Sequence, residues 1–438
     1  MPLKTLLRAT TAAAVLGVAM PAGAQVLNLP PTEQVKAAPV LGTTLMNWVG
    51  ANRLTAVTQA TANEILLQSD GKILINMPEV RQRAEGSAPS TATFITEGGI
   101  DVRDATVQTR AVGNMVASVP NEGDTFPARY GVIGIQQKNH AVQSAYNELT
   151  DVKTGGGGHT DASDFIAIAQ GNQVALQGPR IGVQFGPRND DVIRQTNNGQ
   201  QIATQIVTGG FHETATNFTT AALGNSVSAE AKRVADFDRI EQDTTSRQTA
   251  TFHGTEFDRL NSVGQGTSTI QTAATANTIV LSTDPERSPG NTYLGRSEQI
   301  VSGHGQTATT YLDVKLPNAE PTRGNLEVGT SASGNVLSMT GNKVYGFKDL
   351  NQTAYAGQIA KLEVYNAHGT KNAVFDTRAT GNQMSFSANS MVSIGGLNQA
   401  VTAPQNATSM VNWSSFGGNL TVQTIGTGNS IRVNGLTP

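Results

Sequence analysis

The 438-residue sequence contains no cysteine, only 5% aromatic residues and only 14% charged residues. Without cysteine there are no disulfide staples, thiolate zinc site, thiol nucleophile or lipidated cysteine anchor. Charge well below the roughly 25% of ordinary soluble domains, with few large rings, argues against a conventional packed enzyme core. The 30 basic and 33 acidic residues nearly cancel, which leaves no electrostatic footprint for nucleic acid or an anionic membrane. Beyond residue 24 no stretch approaches the roughly 20 apolar residues of a membrane helix, so direct membrane insertion is not expected. Helix-period apolar spacing is also missing there. Length alone suggests about three domains. Against these shortages stand 46 glycines and an even spread of small apolar residues, which argues against disorder.

The N-terminus reads as a secretory signal peptide over 1–24. Lys4 and Arg8 supply the basic region, an apolar stretch runs from about residue 9 to 20, and Ala22 and Ala24 fit the small-x-small cleavage rule. The expectation is export, with cleavage after Ala24, to a cell-surface or outer-membrane-associated location.

The remaining sequence repeats. A string of the form apolar-x-Thr-x-Ala-x-(Gly/Ala)-Asn-x-apolar recurs around Asn63, Asn114, Asn172, Asn225, Asn277, Asn335, Asn382 and Asn429. Three residues before the Asn stand seven alanines and Gly426; five before stand seven threonines and Ala167. A second string, apolar-x-Gln-x5-Gln-x-Ala, lies between the copies. Its second Gln is Gln143, Gln201, Gln248, Gln306, Gln358 and Gln405, with one extra residue before Gln306 and Ala88 in that column of a degenerate copy. From Asn382 to Gln405 is 23 residues, and from Gln405 to Asn429 is 24. Alternate residues face one side of a strand, and the phase shift at Gly-Asn is what a corner between strands does. The spacing therefore predicts an all-β fold: a single-chain β-solenoid (β-helix) of about 15–16 rungs, with about 23–24 residues per coil, two coil types alternating and a length of roughly 70–75 Å. Asn and Gln would stack as amide ladders, separate or mixed. The expected organisation is the signal peptide at 1–24, an N-terminal cap segment at 25–50, the repeat domain at 51–434 and a short tail at 435–438.

Extra residues fall at fixed places after the Asn. They bring Phe126, Arg129 and Tyr130; Arg180 and Arg188; and Arg287, Tyr293 and Arg296. These are candidate glycan- or partner-binding loops on one side of the rod, where ring stacking and guanidinium forks suit sugars. The last copy ends at Val433 with no closing segment after it, so the C-terminal rung is expected to be open and to pair with another copy.

Catalytic signatures are sparse, and the expectation is a protein that is not an enzyme and takes no cofactor. His140, His159, His212, His253, His304 and His368 share no metal-ligand spacing. The glycine run at 155–158 lacks the period of a calcium roll and reads as an insertion. Asp236, Asp238, Glu241 and Asp243 form an acidic cluster, for which a solvated face is the simpler reading. The alternative is a β-helical polysaccharide-degrading enzyme or a phage-tail-like glycan-binding protein.

The Gln-x5-Gln and Gly-Asn strings resemble curlin repeats in style, with different spacing. Over residues 56–433, the Thr-x-Ala-x-Gly-Asn coils, the leader and the absence of cysteine resemble the holdfast anchoring proteins of stalked alphaproteobacteria, in particular the HfaD-type anchor. The resemblance implies a surface structural protein that ties adhesive polysaccharide to the cell envelope. It also implies partnership with other holdfast anchor proteins and a curli-type outer-membrane pore, and self-association into multimers. It transfers no catalytic residue.

Overall fold

A computed structural model describes residues 25–28, 30–47, 49–67, 73–77, 79–87, 89–97, 100–118, 129–132, 134–154, 163–182, 192–212, 215–257, 259–260, 266–286, 290–314, 324–412 and 414–435. The segment 1–24, Phe126, Arg188, Arg287 and the glycine run at 155–158 lie outside them. The described residues form 29 strands and no helix.

Pairing is parallel, and in the three longest stacks each strand lies over the equivalent strand of the next repeat. One sheet has eight strands: Val40–Met46, Ser90–Thr96, Gln143–Thr150, Gln201–Thr208, Gln248–Thr255, Gln306–Asp313, Gln358–Tyr365 and Gln405–Asn412. A second stack carries the Asn string, from Val49–Leu67 through Ile100–Ser118 and Ser163–Gly182 to Leu420–Gly435. A third carries the first Gln of each Gln-x5-Gln string, from Thr32–Lys36 and Val80–Ala84 through Gly134–Asn139 onwards.

This corrects the expected rung count. A residue's neighbour along the stack lies 47 to 58 positions away in the Asn column, not 23 or 24. The Asn corner and the Gln corner occupy opposite sides of one layer, so the chain passes both before it lies over itself. The protein has eight layers, each containing both coil types, and seven spacings of about 4.8 Å give a stack of roughly 34 Å. Within residues 25–50, read as a cap, Gln25–Asn28, Thr32–Lys36, Val40–Met46 and the start of Val49–Leu67 belong to the first layer, in register with the second. The position read as Ala88 in the Gln column is taken by Ser90, which lies over Gln143.

The interior explains the composition. Ala60, Ala111, Ala169, Ala222, Ala274, Ala332 and Ala379 pack against Ala92, Ala145, Ala203, Ala250, Ala308 and Ala360 in a buried seam of methyl groups. Only a side chain of that size fits between sheets so close. On either side of this waist the interior widens. One lobe holds the apolar residues that follow the Asn, such as Val174, Ile279 and Met384, with Ile135, Ile240 and Leu350. The other holds those that precede it, including Phe165, Phe218 and Phe375, with Phe94, Phe252 and Phe257. Phe165 and Phe218 stack at 5.3 Å between centroids, adding ring–ring attraction to area burial.

Left-handed backbone occurs away from the Gly-Asn corner. Asp151, Gly209, Glu256 and Asn366 have φ of 50°, 69°, 59° and 54°. Each stands eight residues after the second Gln of its layer, where the chain leaves the eight-stranded sheet. The glycine before the Asn answers a different demand: a Cβ on Gly171 would lie 2.5 Å from Asn197 Oδ1 and 2.7 Å from the Gly224 carbonyl oxygen.

Candidate functional site

Three features of the stack bear on function: buried amide ladders, an uncovered C-terminal layer and an aromatic groove.

The ladders arise because one residue type recurs at one corner of every layer. Asn63 Nδ2 donates to Asn114 Oδ1 at 2.8 Å, and the series continues through Asn172, Asn225, Asn277, Asn335 and Asn382 to Asn429 at 2.7–2.9 Å. From Asn114 to Asn382 each Nδ2 also donates to a backbone carbonyl on the neighbouring stack, such as Lys138 or Thr196. The Asn and Gln columns stay separate. A buried amide costs free energy unless its donors and acceptors are met, and here one column serves itself.

The Gln residues form two columns. The first Gln of each string builds the longer one: Gln34, Gln82, Gln137, Gln195, Gln242, Gln299, Gln352 and Gln399, each Nε2 from Gln82 onward donating to the Oε1 of the preceding layer at 2.8 Å. Gln143, Gln201, Gln248 and Gln306 make the second. Gln358 and Gln405 turn Nε2 to the carbonyls of Ala356 and Ala403. Both Gln residues belong to the same Gln-x5-Gln string, and the ladder of the first Gln is the longer of the two.

At the C-terminal layer the inward columns come into view. Phe375, Met384 and Phe386 are fully buried, yet Val422, Ile431 and Val433, directly over them, are 45%, 51% and 59% exposed. Leu420 is also exposed. In the first layer the equivalent Leu54, Ala56 and Leu67 are buried, and Ile65 is partly buried.

The third feature lies on the outer face of layers five to seven. Tyr293 and Tyr345 stack with centroids 4.9 Å apart and planes 6° from parallel, and the Phe347 ring lies parallel to both at 5.8 and 5.9 Å. Between Gly346 and the next in-register residues layer seven carries one extra residue, and at this bulge Phe347 and Lys348 stand outward, exposed. Phe347 is 53% exposed. Of the three rings, Phe347 lines a cavity of about 270 Å³, together with Asp236, Asp238, Arg239, Gly295, Arg296 and Lys348. Gly295 lets layers five and six close, because a Cβ there would lie 2.4 Å from the Asp238 carbonyl oxygen. Burial is the main cause pushing the Tyr293 phenol upward, with the charge of Asp236 adding to it.

The loop candidates are strand residues where they are described. Arg129 and Tyr130 lie in Arg129–Val132, Arg180 in Ser163–Gly182, and Tyr293 and Arg296 in Asn291–Val301. Tyr130, Ile181, Ala235 and Thr292 share a column, so these segments meet on one side of the stack. The acidic cluster divides. Asp236 and Asp238 line the cavity, whereas Glu241 pairs with Arg194 at 2.6 Å and also with Arg239. Asp243 is half-buried, and desolvation, then the Glu298 charge, raise its carboxyl above the ordinary range.

Among the described residues no group of three or more His, Cys, Asp or Glu is placed to hold a metal ion, and no helix is long and apolar enough to cross a membrane. No curated protein and no solved structure matches the chain. Residues 158–437, well over half of its length, match the family described as HfaD, holdfast attachment protein D. The chain therefore belongs to the holdfast attachment protein D family, whose role is holdfast attachment at the cell surface.

Proposed function

We propose that the eight layers are the turns of one β-solenoid, and that this exported protein anchors adhesive holdfast polysaccharide to the cell envelope while multimerising through its open C-terminal end. The carrying observation is the exposure of Leu420, Val422, Ile431 and Val433 over fully buried counterparts. A parallel edge with unpaired backbone groups and an apolar cross-section is a template for another strand layer. Asn429 adds a further feature: its Nδ2 donates to the Gln399 carbonyl at 3.3 Å, and among the described residues no further layer lies over it. A second copy stacked on this end would extend the ladder and cover the apolar column. Export through the 1–24 leader follows from its basic and apolar pattern, and passage through a curli-type pore and contact with other holdfast anchor proteins, carried by the resemblance in sequence, complete the proposal. The attachment role itself calls for positioning and adhesion rather than turnover.

The test is the double substitution Ile431→Asp and Val433→Asp in the mature chain, followed by analytical ultracentrifugation. Both positions are exposed, so the fold should persist by far-UV circular dichroism while large assemblies disappear. Assemblies of unchanged size would refute the end-on reading.

A further inference from the structure

We propose that the groove on layers five to seven is a saccharide-binding site that takes a pyranose ring of a neutral polysaccharide. The proposal rests on the attachment reading for the class of surface met, and on its own geometry for where contact is made. A sugar ring offers an apolar face of C–H groups and a rim of hydroxyls. It is bound where an exposed aromatic face lies beside groups that both donate and accept hydrogen bonds. The groove has that pairing. Phe347 presents an exposed ring held rigid by Tyr345 and Tyr293, which lie parallel to it. Beside it Asp236 and Asp238 supply acceptors, and Arg239, Arg296 and Lys348 supply donors. The cavity, at about 270 Å³, sits just below the roughly 300–1,000 Å³ of sites for drug-sized ligands, which suits one ring of a longer chain.

Charge selects against a polyanion. The three cations of the groove face two carboxylates in its lining, and Arg239 and Arg296 are already paired with Glu241 and Glu298. With those two carboxylates and Arg194, which shares Glu241, the local balance is four positive and four negative charges. Uronate or phosphate groups would find carboxylates close by, whereas hydroxyls use both signs. The platform also sits on a rigid stack, so little ordering cost accompanies binding.

Titration calorimetry of the mature chain with cellohexaose, and separately with oligogalacturonate, tests this. Cellohexaose should bind, and Phe347→Ala should weaken binding about tenfold with an unchanged circular dichroism spectrum. Asp238→Asn should weaken it as well. Absence of cellohexaose binding, indifference to Phe347→Ala, or preference for oligogalacturonate overturns the proposal; so does release of shorter sugars, which would mark the groove as hydrolytic or lytic. Sedimentation of the same variants keeps the two readings apart. Lost sugar binding with intact assemblies defeats the groove alone, and lost assemblies with intact sugar binding leave it standing.

Discussion

Replacing one ladder asparagine should cost far more in the middle of the stack than at its end, and Asn225→Ala against Asn429→Ala measures the difference. Asn225 is 1% exposed. Its Oδ1 accepts from Asn172 at 2.8 Å, and its Nδ2 reaches Asn277 Oδ1, the Asp243 carbonyl and Thr244 Oγ1, each at 2.9 Å. Truncation removes two ladder bonds worth about 1 kcal/mol each. It also leaves the Asp243 carbonyl and one Asn172 proton without this partner. Asn172 keeps the Thr196 carbonyl and Asn277 keeps Thr244 Oγ1, so about one stranded group remains, at roughly 1–3 kcal/mol. The sum is about 3–5 kcal/mol, a large fraction of the roughly 5–15 kcal/mol that holds a typical domain. Asn429 is exposed, and water replaces its single ladder bond from Asn382, so its truncation should cost under about 1 kcal/mol. Urea unfolding of the two variants, followed by far-UV circular dichroism under conditions that keep the chain monomeric, gives the comparison. Equal midpoints for Asn225→Ala and wild type would show that the ladder contributes nothing to the fold.

The same contrast between middle and end applies to glycine. Gly171→Ala places a methyl 2.5 Å from Asn197 Oδ1 and should lower the thermal midpoint by several degrees, whereas Gly428→Ala, whose nearest neighbour would be 3.9 Å away, should leave it unchanged or raise it slightly. Asp243 gives a pH signature. Its folded carboxyl titrates above its unfolded value near 3.8, so folding favours the protonated form, and stability is lost as pH rises through that folded value. Asp243→Asn should therefore raise the unfolding midpoint at pH 7 and change little at pH 3, as read by denaturation at both values.

The columns were legible in the sequence because each residue packs against its own kind one layer away: the alanine seam, the threonine column and the asparagine corner all follow from recurrence. The number of layers was not. Asn382 to Gln405 and Gln405 to Asn429 differ by one residue, so half a layer imitates a whole one. The side chains carried the distinction, since Asn and Gln differ by a methylene and an amide ladder keeps its spacing only among equals. The left-handed corner was also present in outline, as Asp151, Gly209, Glu256 and Asn366 share one offset from the second Gln. The groove was only half visible. Tyr293 and Arg296 lie in a long interval that drew notice, whereas Tyr345, Phe347 and Lys348 lie in one of the shortest, and only stacking of layers six and seven brings them beside Tyr293.

The two long amide ladders point in opposite directions along the stack. Asparagine protons are handed toward the C-terminal layers, and those of Gln82 to Gln399 toward the N-terminal ones. Each column taken alone is a line of aligned dipoles whose end charges resemble those of an α-helix. Side by side and opposed, they largely cancel. Added layers therefore raise no growing potential at either tip, and a long surface fibre built of such units would approach a neighbour without end-to-end electrostatic repulsion from its ladders.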